Sequence, residues 1–477
     1  VNHALIAFII ASTGLLSLIS AGHALLHKRD SRAALVWVSL NLTLPLFGPL
    51  FYWCLGVNRI SRRARIWQAS GRRLSGADIY PFEDYQGDAP QLPNAAIHLH
   101  DLHVLANRVV TTRLREGNRI TPLINGEETY PAMLVAIRRA QESINLSSYI
   151  FDAEGIGAEF VSHLTEAAER GVEVRVIIDA LGEMYSHTSP HRVFHGTRVQ
   201  LEHYLPLRHG AYINLRNHRK LLVIDGREAF SGGMNISDNN LTVSRPTVSA
   251  VCDMHFSIQG PVVADLQRVF LEDWYFVTGE RLNNPLFFPA IEHNGNSLIR
   301  CISDGPDKDF RKLEQIIMGA LSCAKEQVSI MTPYFIPDRP MISALITTAL
   351  RGVNVRIVLP ELNNLPFVNW ASRSLLWELL ANGVRVFYQP APFVHTKLLL
   401  VDNIWCLVGS ANLDSRSLRL NFELNMSIFD ANFSAIICRY FDKAFDVAHE
   451  ITLQELEQRP LLLKLRDNFA RLFSPYL

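Results

Sequence analysis

Residues 147–179 read SSYIFDAEGIGAEFVSHLTEAAERGVEVRVIID, and residues 331–360 read MTPYFIPDRPMISALITTALRGVNVRIVLP. The second passage echoes the first. RGVEVRVII from Arg170 matches RGVNVRIVL from Arg351 almost letter for letter. Within and around these passages SINLSSYIF and VEVRVIID read as strands, Pro131 to Ala140 and Phe160 to Arg170 as helices. That alternation predicts an α/β sandwich with largely parallel pairing. A repeat offset of about 180 residues is far too long for a solenoid and marks a duplicated domain. The Asn- and Pro-rich stretch LNNPLFFPAIEHNGNS, around 282–297, is the expected seam. Two equivalent loops meeting at a pseudo-twofold axis can build one site.

A second match lies downstream of each passage. His218-Arg-Lys220-Leu-Leu-Val-Ile-Asp225 is followed by Ser231-Gly-Gly233-Met-Asn235. His395-Thr-Lys397-Leu-Leu-Leu-Val-Asp402 is followed by Val408-Gly-Ser410-Ala-Asn412. One H-x-K-x4-D is a weak pattern, but two in register within a duplication are a strong one. KLLVID and KLLLVD read as buried strands, whose period of two puts each His and its Lys on one face. Asp225 and Asp402 share the motif, but they fall on the other parity and at a turn, which favours a structural part for them. The small residues that follow let the backbone, Asn235, Ser410 and Asn412 approach a phosphoryl group.

Two histidines and two lysines around one phosphate suggest covalent phosphoryl chemistry with neither metal nor cofactor. The lysines, with Asn235 and Asn412, neutralise charge on the non-bridging oxygens. One imidazole attacks phosphorus while the other protonates the leaving alkoxide and then deprotonates the incoming hydroxyl. Each ring then needs an orienting carboxylate, for which Asp253 in VCDMHF and Glu423 in NFELN are the candidates, each lying after its own motif.

The chain as a whole is unusually apolar: 48% hydrophobic and 19% charged, with 46 basic residues balancing 46 acidic ones. That balance excludes a chain-wide polyanion-binding surface, and the apolar excess excludes extensive disorder. Six scattered cysteines without a C-x-x-C pair argue against a disulfide framework or a structural zinc site and favour a reducing compartment. The charge deficit sits at the start, where Lys28, Arg29, Asp30 and Arg32 are the only charged residues among the first 58. They separate two uncharged runs, Ala4 to Leu26 and Ala33 to Asn58, each long enough to cross a bilayer as a helix. The expectation is a membrane hairpin of two transmembrane or re-entrant helices, with Pro45 and Pro49 kinking the second. Arg59, Arg62, Arg63 and Arg65 follow as a basic collar that favours the cytoplasmic side. The stretch 75–96 reads as a linker or irregular cover.

Taken together these residues resemble the phospholipase D superfamily, and specifically the bacterial cardiolipin synthases. The resemblance covers nearly the whole chain. It runs from the apolar N-terminal pair through Tyr149-Ile-Phe, Arg216-Asn-His-Arg-Lys220, Gly232-Gly-Met-Asn-Ile236 and Pro333-Tyr-Phe-Ile-Pro-Asp338 to Gly409-Ser-Ala-Asn-Leu-Asp-Ser-Arg-Ser417 and Asn421-Phe-Glu423. It implies an α/β fold of duplicated phospholipase D-type sandwich domains forming one shared site, preceded by the two-helix hairpin. The expected division is a hairpin at 1–58, a basic juxtamembrane segment and linker at 59–105, a first catalytic domain at 106–287 and a second at 288–477. The implied reaction joins two phosphatidylglycerol molecules into cardiolipin and glycerol through a phosphatidyl-histidine, with His218 as nucleophile and His395 as general acid/base. It also places the acidic helpers at Asp253 and Glu423. Gly233 departs from its counterpart Ser410, which makes the phosphate contacts asymmetric. The implied location is the bacterial inner (cytoplasmic) membrane, multi-pass, with cytoplasmic catalytic domains. The implied partners are phosphatidylglycerol, cardiolipin or other membrane phospholipids, and assembly as a homo-oligomer is open.

Four other readings compete. A membrane-tethered hydrolase would yield phosphatidic acid, and a synthase could take phosphatidylethanolamine as one partner. A nucleic-acid phosphodiesterase is disfavoured by the zero net charge. A non-enzymatic scaffold is free to lose one motif copy, whereas both are intact here. The closing RPLLLKLRDNFARLF puts Leu462, Leu465, Phe469 and Leu472 on one helical face, suited either to a lipid interface or to capping the second domain.

Overall fold

The computed structural model describes residues 3–28, 31–57, 90–205, 215–244, 249–282, 285–306 and 311–474, and divides into two units, Val1–Trp67 and Gln68–Leu477. The basic collar at Arg59 to Arg65 and most of the expected linker lie outside the described residues.

In the first unit the two apolar runs fold differently. The first forms α1 (His3–His27), 25 residues without an Asp, Glu, Lys or Arg. The second forms only α2 (Ser31–Thr43), 13 residues, before the chain turns at Leu44–Leu46 and resumes as Phe47–Phe51 and a π-helical turn Tyr52–Gly56. Pro45 has no N–H to continue the helix, and its carbonyl instead accepts from Ser17 Oγ of α1 at 3.0 Å. The segment after the turn folds back on α1, where Trp53 Nε1 donates to Ser20 Oγ at 2.9 Å. At 1.5 Å per residue α2 spans roughly 20 Å, short of the roughly 30 Å hydrocarbon layer. The expected two-helix hairpin, and the multi-pass inner-membrane topology built on it, are therefore corrected: among the described residues α1 alone is long and apolar enough to cross a membrane.

The second unit carries the sheet. Its strands are β1 (Arg115–Ile124), β2 (Ser143–Ser148), β3 (Glu173–Asp179), β4 (Gln200–Tyr204), β5 (Arg216–Asn217), β6 (Leu221–Ile224), β7 (Glu228–Gly232), β8 (Val251–Cys252) and β9 (Met254–Gln259). After the seam come β10 (Ser297–Asp304), β11 (Gln327–Met331), β12 (Phe335–Ile336), β13 (Asn354–Pro360), β14 (Arg385–Gln389), β15 (Phe393–Val394), β16 (Leu398–Val401), β17 (Trp405–Gly409), β18 (Leu413–Asp414), β19 (Asn421–Phe429) and β20 (His449–Ile451). The spatial order is β4-β3-β2-β6-β7-β9-β1-β10-β19-β17-β16-β11-β13-β14-β20. Apart from edge strand β20, this order is the same read from either end, so a pseudo-twofold axis passes between β1 and β10.

Along this order pairing is parallel only where the helical crossovers lie, in β2-β3-β4 and β11-β13-β14; the short pairs β5-β19, β8-β15 and β12-β18 are also parallel. The ladders from β2 through β6, β7, β9, β1, β10, β19, β17 and β16 to β11 are antiparallel. The sequence expectation of a largely parallel sheet overextended the crossover pattern. KLLVID and KLLLVD enter tight turns rather than helices, and a short turn can only return the chain antiparallel. Each half has its own core. One is built on Phe160, Leu164, Val176 and Leu222. The other, on Leu345, Ile357, Leu379 and Leu399, also takes in Ala96, Leu99 and Leu102. The end of the expected linker is thus an ordered turn, Asn94–Leu99, that buries apolar side chains against the second half.

Candidate active site

The site is built where each half reaches across the axis. Strand β5 ends one residue before His218 and pairs with the start of β19 rather than with its own half, Arg216 opposite Asn421 and Asn217 opposite Phe422. Strand β15, ending just before His395, pairs in the same way with β8, Phe393 opposite Val251 and Val394 opposite Cys252. The backbone then pins each histidine to the other half: His218 N–H donates to Phe422 O at 2.9 Å and His395 N–H to Cys252 O at 2.8 Å. One residue further along lie Glu423 and Asp253. The His218 Nδ1 is 3.0 and 3.1 Å from the two Glu423 oxygens, and the His395 Nδ1 is 2.7 Å from Asp253 Oδ2. The two carboxylates are thus exchanged: each serves the histidine of the opposite half.

Both carboxylates are fully buried. With Nδ1–H given to a carboxylate, each ring is left with Nε2 as its available nitrogen. Burial drives both imidazoles toward the neutral form. It takes His395 down to about 4, with Lys397 adding to the effect, and lowers His218 against the opposing pull of Glu423. For the carboxylates burial acts upward, but Lys397 and His395 hold Asp253 below its ordinary value, and His218 and Lys220 do the same for Glu423. Lys220 is buried and falls to about 7, its charge favoured by Glu423 and opposed by Lys397. Lys397 falls to about 8 through burial, against the pull of Asp253 and Glu423. The two lysines feel each other's field because both motifs face one cluster. Lys220 Nζ donates to His218 O at 2.8 Å, and Lys397 Nζ donates to His395 O, lies 2.8 Å from His395 Nδ1 and 3.9 Å from Asp253 Oδ2. Two lysines and two ionised carboxylates cancel, so a phosphodiester anion entering beside the neutral rings favours full protonation of both lysines.

Other residues singled out from the sequence take different places. Asp225 and Asp402, grouped with the catalytic residues by the motif, stand beyond the far ends of β6 and β16, at φ +50° in both cases. Each caps a neighbouring strand. Asp225 accepts the N–H groups of Gln141, Glu142 and Ser143, and Asp402 those of Lys325, Glu326 and Gln327 together with His98 Nε2. At about 3.3 Å per residue they lie well over 10 Å along the chain from the histidines, too far to touch the same atoms. Ser410, expected on the phosphate, instead donates to Glu423 Oε2 at 2.5 Å and accepts Leu424 N–H at 3.0 Å. Asn235 Oδ1 accepts Ile150 N–H at 3.2 Å. Asn412 Oδ1 is buried and has no hydrogen-bond partner among the described residues.

The asymmetry at Gly233 has a steric cause. A Cβ there would stand 2.3 Å from Asp253 Oδ1. That oxygen accepts Met254 N–H at 2.8 Å, the bond that Ser410 Oγ makes with Leu424 in the second half. A carboxylate oxygen of the shorter Asp does the serine's work, and no serine fits beside it.

Sequence reasoning passed over Tyr149 and Tyr334. Their rings meet those of His218 and His395 edge-on, with centroids 5.3 and 6.2 Å apart. The signal was present, because the two tyrosines occupy the same place in SSYIF and TPYFI. Asp179 was also missed. It accepts Asn217 N–H at 2.8 Å and so fixes the chain just ahead of His218.

Comparison with known proteins adds the following. A family model described as "Cardiolipin synthase, PLD-like domain" matches residues 133–274 and 317–445, more than half of the chain. The chain is 32% identical over 457 residues to a cardiolipin synthase of Geobacillus kaustophilus, covering 95% of this chain and 90% of that one. It is 34% identical over 479 residues to cardiolipin synthase A of Pseudomonas syringae, covering 97% of each. Among solved structures, a phosphatidylserine synthase of Haemophilus influenzae shares the fold with a TM-score of 0.61 at 15% identity, over 79% of this chain and all of that one.

Proposed function

The chain belongs to the cardiolipin synthase, PLD-like family of the phospholipase D superfamily, enzymes of phosphatidyl transfer or hydrolysis, and on that premise we propose that it makes cardiolipin and glycerol from two molecules of phosphatidylglycerol. The observation that carries the reading is identity above 30% to cardiolipin synthases along nearly the full length of both chains.

In the proposed cycle His218 Nε2 attacks the phosphorus of the first phosphatidylglycerol. The N–P bond forms, the bond from phosphorus to the glycerol oxygen breaks, and protonated His395 delivers its Nε2 proton to that oxygen. Glycerol leaves. A hydroxyl of the second phosphatidylglycerol then attacks phosphorus, giving its proton to His395 as the N–P bond breaks and cardiolipin departs. Glu423 steadies the imidazolium character that His218 acquires, and Asp253 does the same for His395. Lys220, Lys397, Asn235 and Asn412 face the non-bridging oxygens, whose charge peaks in the transition state. A neutral His218 beside an ionised Glu423 supports the nucleophile's part, because a nucleophilic imidazole must start deprotonated; His395, neutral in the empty site, has to take up its proton as the phosphodiester anion binds.

The test uses the purified chain in mixed micelles of detergent and phosphatidylglycerol, with lipid products and free glycerol quantified. Cardiolipin and glycerol in equal amounts, absent from His218→Ala and His395→Ala, is the expected result. Phosphatidic acid without cardiolipin would make the enzyme a hydrolase, and unchanged turnover in His218→Ala would overturn the mechanism.

A further inference from the structure

The face of the C-terminal helix Leu461–Arg471 is bare. Leu462 is 79% exposed, and Leu465, Phe469 and Leu472 continue the same stripe. The stripe leads to the active site. Phe469 packs on Phe473, Phe473 packs on Phe367, and Phe367 opens the helix Pro366–Arg373 directly after the loop 361–365. That loop carries exposed Leu362 and Leu365, and its Asn364 Oδ1 accepts from Tyr334, the tyrosine lying against His395. Across the pseudo-twofold axis the corresponding loop, after β3, projects Met184 and Tyr185, 69% and 62% exposed.

We propose that these surfaces, the C-terminal helix and the two loop tips, seat the active-site mouth on an anionic phospholipid bilayer. The inference rests on the phosphatidyl-transfer reading above and adds the surface by which the substrate arrives. Three observations favour a bilayer over a protein partner. The helix is net cationic: it carries Lys464, Arg466 and Arg471 against one acid, Asp467, which is buried and paired with Arg466 and with Arg459, leaving Lys464 and Arg471 outside that pair. Apolar side chains rimmed by cations are the pattern of a helix lying in a headgroup layer. The stripe is continuous with the mouth, and a diacyl lipid cannot present its phosphate to buried histidines by leaving the bilayer entirely. Finally, the loop tips recur in both halves, as a site taking two lipids in succession requires.

The experiment places the full chain in phosphatidylcholine nanodiscs and offers phosphatidylglycerol in two forms, long-chain in the disc and dihexanoyl as dissolved monomer. Leu465→Ser combined with Phe469→Ser is expected to cut the rate on disc-borne lipid roughly tenfold or more and to leave the rate on monomer within about twofold. Leu350→Ser, a change at another exposed leucine (68%), leaves both rates intact. Equal wild-type and variant rates on disc-borne lipid, or equal losses on both substrates, would overturn the proposal. A second readout does not depend on turnover. Lipid carrying a photoreactive group in its acyl chain is expected to label the peptide spanning Leu461 to Phe473, and absence of label there also overturns the proposal. Label without cardiolipin from either substrate would instead strike the reaction and leave the surface standing.

Discussion

Replacing Asp225 tests whether the third residue of each motif acts on substrate or on the scaffold. Its carboxylate accepts three N–H groups, from Gln141 at 3.0 Å, Glu142 at 2.8 Å and Ser143 at 2.9 Å. In an Ala variant water can reach the first two, each loss costing about 0.5–1 kcal/mol, whereas the Ser143 amide opens strand β2 and its loss costs about 1.5–3 kcal/mol. The left-handed backbone, φ +50°, adds about 1 kcal/mol for Ala. The total is about 4 kcal/mol, a fall in Tm of roughly 5 °C for a unit of this size. Asp225→Asn keeps one acceptor oxygen and tolerates the backbone, so about half that loss is expected. Scanning calorimetry of the purified protein, paired with initial rates of cardiolipin formation at 20 °C, separates the alternatives. The expected outcome is a lowered Tm with turnover per folded molecule within about twofold of wild type. A wild-type Tm with turnover down a hundredfold would place Asp225 in the chemistry and refute the capping argument.

Three further outcomes follow from the site. Because the carboxylates are exchanged, Glu423→Gln should impair His218, and so abolish the trapped phosphatidyl-histidine with a loss of about 10²–10⁴-fold in kcat; an adduct formed at the wild-type rate would contradict the pairing. In the empty enzyme Lys220 titrates at about 7 and Lys397 at about 8, so their charge is complete below that window and lost as pH rises through it. The pH profile of kcat/KM, which reports the free enzyme, should therefore decline on its alkaline side, and Lys220→Arg should move that flank upward; a flat profile from pH 6 to 9 argues against phosphate binding by these lysines. Ser410→Ala takes a hydroxyl from Glu423 and strands the Leu424 N–H, costing about 1–3 kcal/mol of stability and lowering kcat more than it raises KM, while Gly233→Ser should express poorly because its Cβ meets Asp253; normal expression and melting of both variants would refute the packing account.

The duplication and the His-Lys pairs are legible because they are local: a strand period and a repeated spacing fix which side chains share a face. The exchange of Asp253 and Glu423 is not, since each carboxylate follows its own motif in the chain. What decides the pairing is β5 joining β19 and β15 joining β8, contacts that bring together residues 205 and 142 positions apart. Ser410 misled for a similar reason. Its position in Gly409-Ser-Ala-Asn412 suits a phosphate, but its hydroxyl is taken by Glu423. The apolar run after Arg32 is long enough for a span by composition, yet Pro45 divides it, and hydropathy weighs a proline far less than the backbone does. Parallel pairing was inferred from βαβ passages that account for only three strands in each half of the sheet, β2-β3-β4 and β11-β13-β14.

The exchanged carboxylates also set a clock on the nascent chain. When the first half leaves the ribosome it carries His218 without Glu423, which lies 205 residues further on, and Asp253 without the histidine it serves. At about 5–20 residues per second, synthesis of that interval takes roughly 10–40 seconds. Throughout it the proposed nucleophile stands without the carboxylate that orients it in the folded protein. The two pairings need β15 to meet β8 and β19 to meet β5. A chain that stops short of β19 lacks the carboxylate that orients His218.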